Sequence, residues 1–173
     1  RSVRASRPGG LLVTRVWSIL AVVPLVFLVL GVAVPAWVYG TPLNLVLPAG
    51  EFAQVAGLVL YLGGGALTLW SFLSLGRFMR IEIDVRTDHE LITRGPYARI
   101  RHPAYTAFLL LDAGIALWFL HVVLIATFLG RLVIAEIRAR REESLLASTD
   151  GFGERYREYM SRTGRFLPAL RSR

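Results

Sequence analysis

Long runs of apolar residues alternate along this chain with short, arginine-rich polar segments. Val16–Tyr39 is a near-continuous apolar run of 24 residues without a charge, and Phe52–Leu73 is a second run of 22. A helix needs ~20 such residues to cross the hydrocarbon core of a bilayer, so each run predicts a membrane span. Ala104–Leu120 and Val122–Ile137 are shorter and meet at Leu120-His121 with almost no loop. They predict a tight helical hairpin that either spans a thin membrane or stops short of its far side. The fourth helix is expected to continue past Ile137 into water through "IRARREESLL". Beyond it, Phe152, Tyr156, Tyr159 and Met160 fall at helical spacing, predicting an amphipathic helix packed on the bundle or on the membrane surface. The first run is too long, and followed by too many others, to read as a secretory leader. The expected fold is an all-α integral membrane protein. Four transmembrane or hairpin helices (16–39, 52–73, 104–120, 122–137) and a cytoplasmic C-terminal amphipathic helix form one domain over 1–173.

Composition supports the membrane. The 173 residues are 54% hydrophobic and only 18% charged, above the ~45–50% apolar content of soluble domains. Net charge is +8, and every basic residue is an arginine. Arg1, Arg4, Arg7 and Arg15 precede the first run; Arg77, Arg80, Arg86, Arg94, Arg99 and Arg101 lie between the second and third. Nine more follow from Arg138 onward, while "GTPLNLVLPAGE" and the hairpin tip hold none. The positive-inside rule then puts both termini, 74–103 and 138–173 in the cytoplasm. Charge distributed this way points to a multi-pass membrane protein and not to nucleic acid. The all-arginine basic set suggests a GC-rich bacterial genome, hence a bacterial inner (plasma) membrane. Without cysteine there is no disulfide frame, thiol nucleophile or thiolate metal site, and no metal is expected.

Several polar or helix-breaking residues fall inside the runs. Asp112 lies about eight residues before the hairpin tip and Arg131 about ten after it, a level placement that predicts a pair; such a pair serves either structure or function. Gly63–Gly65 would let a neighbouring helix approach closely, and Pro24 and Pro35 read as tolerated kinks.

The candidate chemistry lies at the membrane threshold. Residues 77–101 read as a cytoplasmic loop with short extended pieces and a Gly-Pro turn. In "RIRHPAY", proline opens the third helix, and the free N–H groups of the first turn with Arg99, Arg101 and His102 would make an electropositive cradle for a carboxylate. The same arginines could equally anchor phospholipid headgroups. Arg138 and Glu142 stand at i, i+4 with Glu143 alongside. They could bind an anionic substrate and a cationic cofactor, or form an ordinary surface ion pair.

The order of these pieces carries more than any one of them. Gly95-Pro96-Tyr97, Arg101-His102-Pro103-x-Tyr105, a short hairpin, Arg138-x-x-x-Glu142-Glu143, Phe152-Gly153-x-x-Tyr156-x-x-Tyr159 and Arg165-Phe166-x-Pro168 together resemble the isoprenylcysteine carboxyl methyltransferase family, related to membrane phospholipid methyltransferases. The resemblance covers about residues 74 to 168; the first two runs carry no signature of it. It implies S-adenosylmethionine-dependent methyl transfer at the membrane–cytoplasm boundary, to a lipophilic acceptor entering from the bilayer. Carried over, cofactor contacts fall on His89, Glu90, Leu91, Ile92, Tyr97, His102, Pro103, Ala104, Tyr105 and Glu142, with a weaker match at Glu82. Arg138 would be the catalytic and substrate-holding residue. Ala107 departs from the glycine common at its position in relatives. Carboxylate O-methylation fits a site built around arginine. A phospholipid or amine N-methyltransferase, an NADPH-dependent membrane reductase and a non-catalytic lipid-binding protein are the alternatives.

Overall fold

The computed structural model describes residues 8–48, 50–76, 91–149 and 151–169, with side chains from residue 12. These residues are mostly helical and contain no strand beyond two isolated bridges. His89, Glu90 and Glu82 lie outside the described residues.

Helix α1 (Pro8–Ala33) keeps Pro24 within it but ends two residues before Pro35. A residue preceding proline is disfavoured in the helical region, and Val34 takes φ −142°. Pro35, lacking an N–H, opens a separate short helix, α2 (Pro35–Tyr39). The single run expected through Tyr39 is therefore broken at Val34, and Pro35 is a helix start where a kink was expected.

Helix α3 (Gly50–Leu75) packs along α4 (Pro103–Phe119) at very close range. A Cβ added at Gly57 would stand 2.6 Å from the Gly114 carbonyl oxygen, and one at Gly64 would stand 2.9 Å from that of Ala107. Gly114 meets Tyr61 N at 2.7 Å in the same sense. Gly63 and Gly65 have open space instead, so of the triple glycine only the middle residue makes the helix contact. Ala107, fully buried, fits because its partner across the interface is a glycine.

The hairpin of α4 and α5 (Val122–Leu146) reverses within Leu120-His121, as its near-absent loop implies. Leu120 takes the left-handed conformation (φ +49°), and the loop after α2 caps the tip. Asn44 Nδ2 donates to Phe119 O (2.7 Å), Leu45 N to Leu120 O (2.8 Å) and Val122 N to Leu43 O (2.9 Å). His121 Nδ1 accepts from Val123 N at the start of α5, and its Nε2 lies 3.1 Å from Thr41 Oγ1. Backbone groups at this end are thus satisfied by protein. Val38, Ile115, Ala116, Phe119 and Leu124 form the buried core there.

Helix α5 (Val122–Leu146) runs on beyond its apolar half, and α6 (Glu154–Arg162) follows with Tyr156 and Tyr159 buried. Among the described residues, two helices are long and apolar enough to cross a membrane, Leu12–Ala33 and Gly50–Leu75. Only 6% and 11% of their most apolar windows are buried. Leu25, Val29, Val59, Leu62 and Leu73 face outward, the reverse of a soluble core helix and the arrangement a lipid solvent favours. Between α4 and α5, Asp112 and Arg131 meet as a buried ion pair, as their levels predict. The Arg131 guanidinium also lies 4.2 Å from the Trp17 ring centre.

Candidate active site

The start of α4, the polar end of α5 and the segment after α6 converge. A 3₁₀ turn, Gly95–Ala98, leads in. Gly95 has φ +60°, and a Cβ there would lie 2.2 Å from Ser74 Oγ; only glycine lets the turn lie on the end of α3. Pro96 is buried, and the Tyr97 carbonyl accepts a 2.6 Å hydrogen bond from the Tyr159 hydroxyl. Leu91 and Ile92 approach the turn half-buried and outside any regular element.

From the turn the chain runs beside the C-terminal segment. Arg101 N donates to Gly164 O (2.8 Å), His102 N to Arg165 O (3.0 Å) and Gly164 N to Arg99 O (3.1 Å). Thr106 Oγ1 donates to Phe166 O (2.8 Å). Glu143, 3% exposed, locks the two together. It accepts from Arg101 Nε (2.7 Å) and from Arg165 Nη2 (2.6 Å), and Arg165 Nη1 reaches Glu136 (2.5 Å). Arg101 Nη1 also donates to Met160 O (3.1 Å) and to Thr163 O.

This alters the expected electropositive cradle. Arg101 is spent on Glu143 and two carbonyls, so its charge is neutralised within the fold. His102 lies between two carboxylates, its Nδ1 3.4 Å from Glu142 and its Nε2 3.3 Å from Glu143. Nε2 is buried, with Glu143 the carboxylate it faces. Burial opposes charge on His102, but Glu142 and Glu143 outweigh it and raise its pKa. Burial likewise opposes the Glu143 charge, yet His102, Arg165 and Arg101 hold that carboxyl well below its usual range. Burial, then Tyr159 and Glu142, raise the Tyr97 hydroxyl above the usual phenol range.

The His102 ring stacks on Tyr105 at 5.4 Å between ring centres, 16° from parallel. The Tyr105 hydroxyl in turn accepts from Arg138 Nε (3.1 Å), and Arg138 Nη1 donates to Thr14 Oγ1 (2.9 Å). The i, i+4 ion pair between Arg138 and Glu142 does not form: Arg138 turns to Tyr105 and α1, while Glu142 turns to His102. A continuous row results, Glu142–His102–Tyr105–Arg138, from a quarter-exposed carboxylate to a buried guanidinium. Pro103 is fully buried beneath it and Ala104 half-buried. Of the expected site residues that are described, Tyr97, His102, Pro103, Ala104, Tyr105, Arg138 and Glu142 come together here. Sequence reasoning missed Thr14 and Trp17, which reach Arg138 across 124 positions in the case of Thr14. The Glu136–Arg165–Glu143 lock was also missed, although the paired glutamates and Arg165-Phe166 were its visible signal.

A family model described as phospholipid methyltransferase matches residues 52–151. The chain is 30% identical over 124 residues to a probable protein-S-isoprenylcysteine O-methyltransferase of Oryza sativa subsp. indica, covering 69% of this chain and 63% of that protein. To the protein-S-isoprenylcysteine O-methyltransferase of Tribolium castaneum it is 29% identical over 91 residues, 52% of this chain and 32% of the relative. The structure of the eukaryotic intramembrane Ras methyltransferase ICMT (isoprenylcysteine carboxyl methyltransferase) matches with a TM-score of 0.65 at 25% identity, over 96% of this chain and 54% of that one. The chain therefore spans less than two thirds of the length of these relatives. With the family model matched over more than half its residues, this chain belongs to the phospholipid methyltransferase family, with isoprenylcysteine carboxyl methyltransferases among its relatives.

Proposed function

We propose that the chain is an S-adenosylmethionine-dependent methyltransferase that O-methylates the carboxylate of a lipophilic acceptor at the membrane–cytoplasm boundary. The observation that carries this reading is the row Glu142–His102–Tyr105–Arg138, which sets a cation-binding carboxylate and an anion-binding guanidinium on either side of stacked rings.

These residues fit the cofactor. Glu142 offers a partly exposed carboxylate to an ammonium group, and His102 is held beside it between Glu142 and Glu143. Tyr97 and Tyr105 supply aromatic faces, which attract cations. His89, Glu90, Leu91, Ile92, Pro103 and Ala104 complete the proposed cofactor set. When bound, the cofactor supplies a methyl group on a sulfonium, an electrophile that needs no activation by the protein. Arg138 grips the acceptor carboxylate and keeps its charge near lipid, where lysine would lose it more readily. Catalysis then rests mainly on placement.

Among the described residues, Glu143 and His102 are the candidate bases, and the engagement of both supports a carboxylate acceptor. Glu143 is ionised but fully occupied by Arg101 and Arg165, and His102 has its pKa raised. A carboxylate needs no base, whereas an ammonium must first lose a proton. The family description favours a second reading, N-methylation of a phospholipid amine; it would require one of these two groups to be released.

The arginine distribution supports four spans with both termini in the cytoplasm, 74–103 and 138–173 forming the cytoplasmic parts, in a bacterial plasma membrane. The test is incubation of the full chain in lipid vesicles with methyl-labelled S-adenosylmethionine and either N-acetyl-S-farnesylcysteine or phosphatidylethanolamine. A base-labile methyl ester on the first is expected. Label in the lipid amine would select the second reading, and label in neither would overturn both.

A further inference from the structure

Arg138 is the residue on which the acceptor's placement depends, and two of its neighbours come from α1, which carries no sequence signature of the site. Thr14 Oγ1 accepts from Arg138 Nη1 at 2.9 Å. The Trp17 ring lies 5.9 Å from the Arg138 guanidinium and meets Tyr105 edge-on at 5.5 Å. Trp17 is itself held. Arg131 lies 4.2 Å from its ring centre, Asp112 clamps Arg131, and Phe108 meets the indole edge at 6.4 Å. A buried ion pair, an indole and the Tyr105 ring thus form a stack ending against Arg138.

The donor inventory gives this packing a use. A guanidinium carries five N–H groups on a planar fork. Tyr105 takes the one at Nε and Thr14 one at Nη1. These two donors lie on different sides of the guanidinium, so together they fix its plane, and among the described residues no hydrogen bond takes Nη2. An arginine free to rotate would lose this orientation, and bidentate grip of a carboxylate depends on it. Ion–indole attraction is strongest where water is excluded, and Arg131 is buried.

We propose that Thr14 and Trp17 are positioning residues: α1 forms a wall of the active site that fixes the plane of the Arg138 guanidinium and leaves its Nη2 donors for the acceptor carboxylate. The first helix then sets acceptor selectivity as well as anchoring the chain. This rests on the reading of Arg138 given above and is tested apart from methyl transfer.

The experiment measures affinity of the full chain in lipid nanodiscs for N-acetyl-S-farnesylcysteine and for its methyl ester, which keeps the apolar tail and removes the carboxylate charge. Thr14→Val is expected to lower the acid-over-ester preference about three- to tenfold, the range of one lost hydrogen bond. Trp17→Leu should lower it by about tenfold or more. Thr14→Ser should restore it, and Val22→Ala on the outward face of α1 should leave it unchanged. Affinity for S-adenosylhomocysteine should hold in all four. A role in folding alone would weaken acid and ester alike. An acid preference kept by Thr14→Val and Trp17→Leu, or absent in the wild type, would overturn the proposal. A preference that falls as expected, in a chain that forms no methyl ester, would uphold the positioning role and sink the methyl-transfer reading.

Discussion

His102 and Glu143 show how a buried polar cluster can be stable. Each is buried, and each has the charge that burial opposes restored by its neighbours. The consequences for pH have opposite signs. The raised His102 pKa contributes stability that is fully present below the ordinary imidazole value of 6.5 and is lost as pH rises through the folded value. The depressed Glu143 pKa contributes stability present above the ordinary carboxyl value of 4.5 and lost as pH falls through the folded value. Both are complete between those two ordinary values. Thermal unfolding in detergent should therefore show greatest stability in that window, with an alkaline decline above pH 6.5 that His102→Gln removes. An alkaline limb unchanged in that variant would mean His102 is not charged in the fold. The sequence placed His102 in the site, but its surroundings were not legible. Arg101 looked like a free cation, because its partner Glu143 lies 42 positions away.

The helices were more legible than their joints. Runs of apolar residues located α3, α4 and α5 within a few residues, and the level placement of Asp112 and Arg131 anticipated their pairing. Pro35 was misjudged because a proline inside a run and one that opens a new helix have the same local composition; the backbone at Val34 decides. The triple glycine was legible as a packing device, but which glycine makes the contact depends on the rotation of α3 about its axis. Gly64→Ala should destabilise, since its Cβ would press on the backbone of α4, and Gly63→Ala should not. Glycine in a helix interior costs about 1 kcal/mol relative to alanine, so Gly63→Ala should even gain slightly. Thermal unfolding of the pair checks this, and equal losses would mean that the α3–α4 interface is misplaced.

The proposed four-span architecture, with its polar groups gathered at one end, makes topology testable. The chain has no cysteine, so single cysteines report without background. Val46→Cys, 91% exposed in the loop over the hairpin tip, should be labelled by a membrane-impermeant thiol reagent added outside intact cells. Arg155→Cys on α6 should be labelled only after the membrane is opened. Labelling of both from outside would refute the cytoplasmic assignment. What the sequence could not supply is the joining of distant parts: Thr14 to Arg138 and Arg165 to Glu143 arise only when α1 and the C-terminal segment close on α5.

Calorimetric titration of the purified chain with S-adenosylhomocysteine tests the proposed site most directly, beside Glu142→Ala, His102→Ala and an NADPH control. Saturable binding by the wild type, weakened about tenfold or more in both variants as expected for lost charge-assisted contacts, is the predicted result. No binding to folded protein, or a response to NADPH alone, would contradict it.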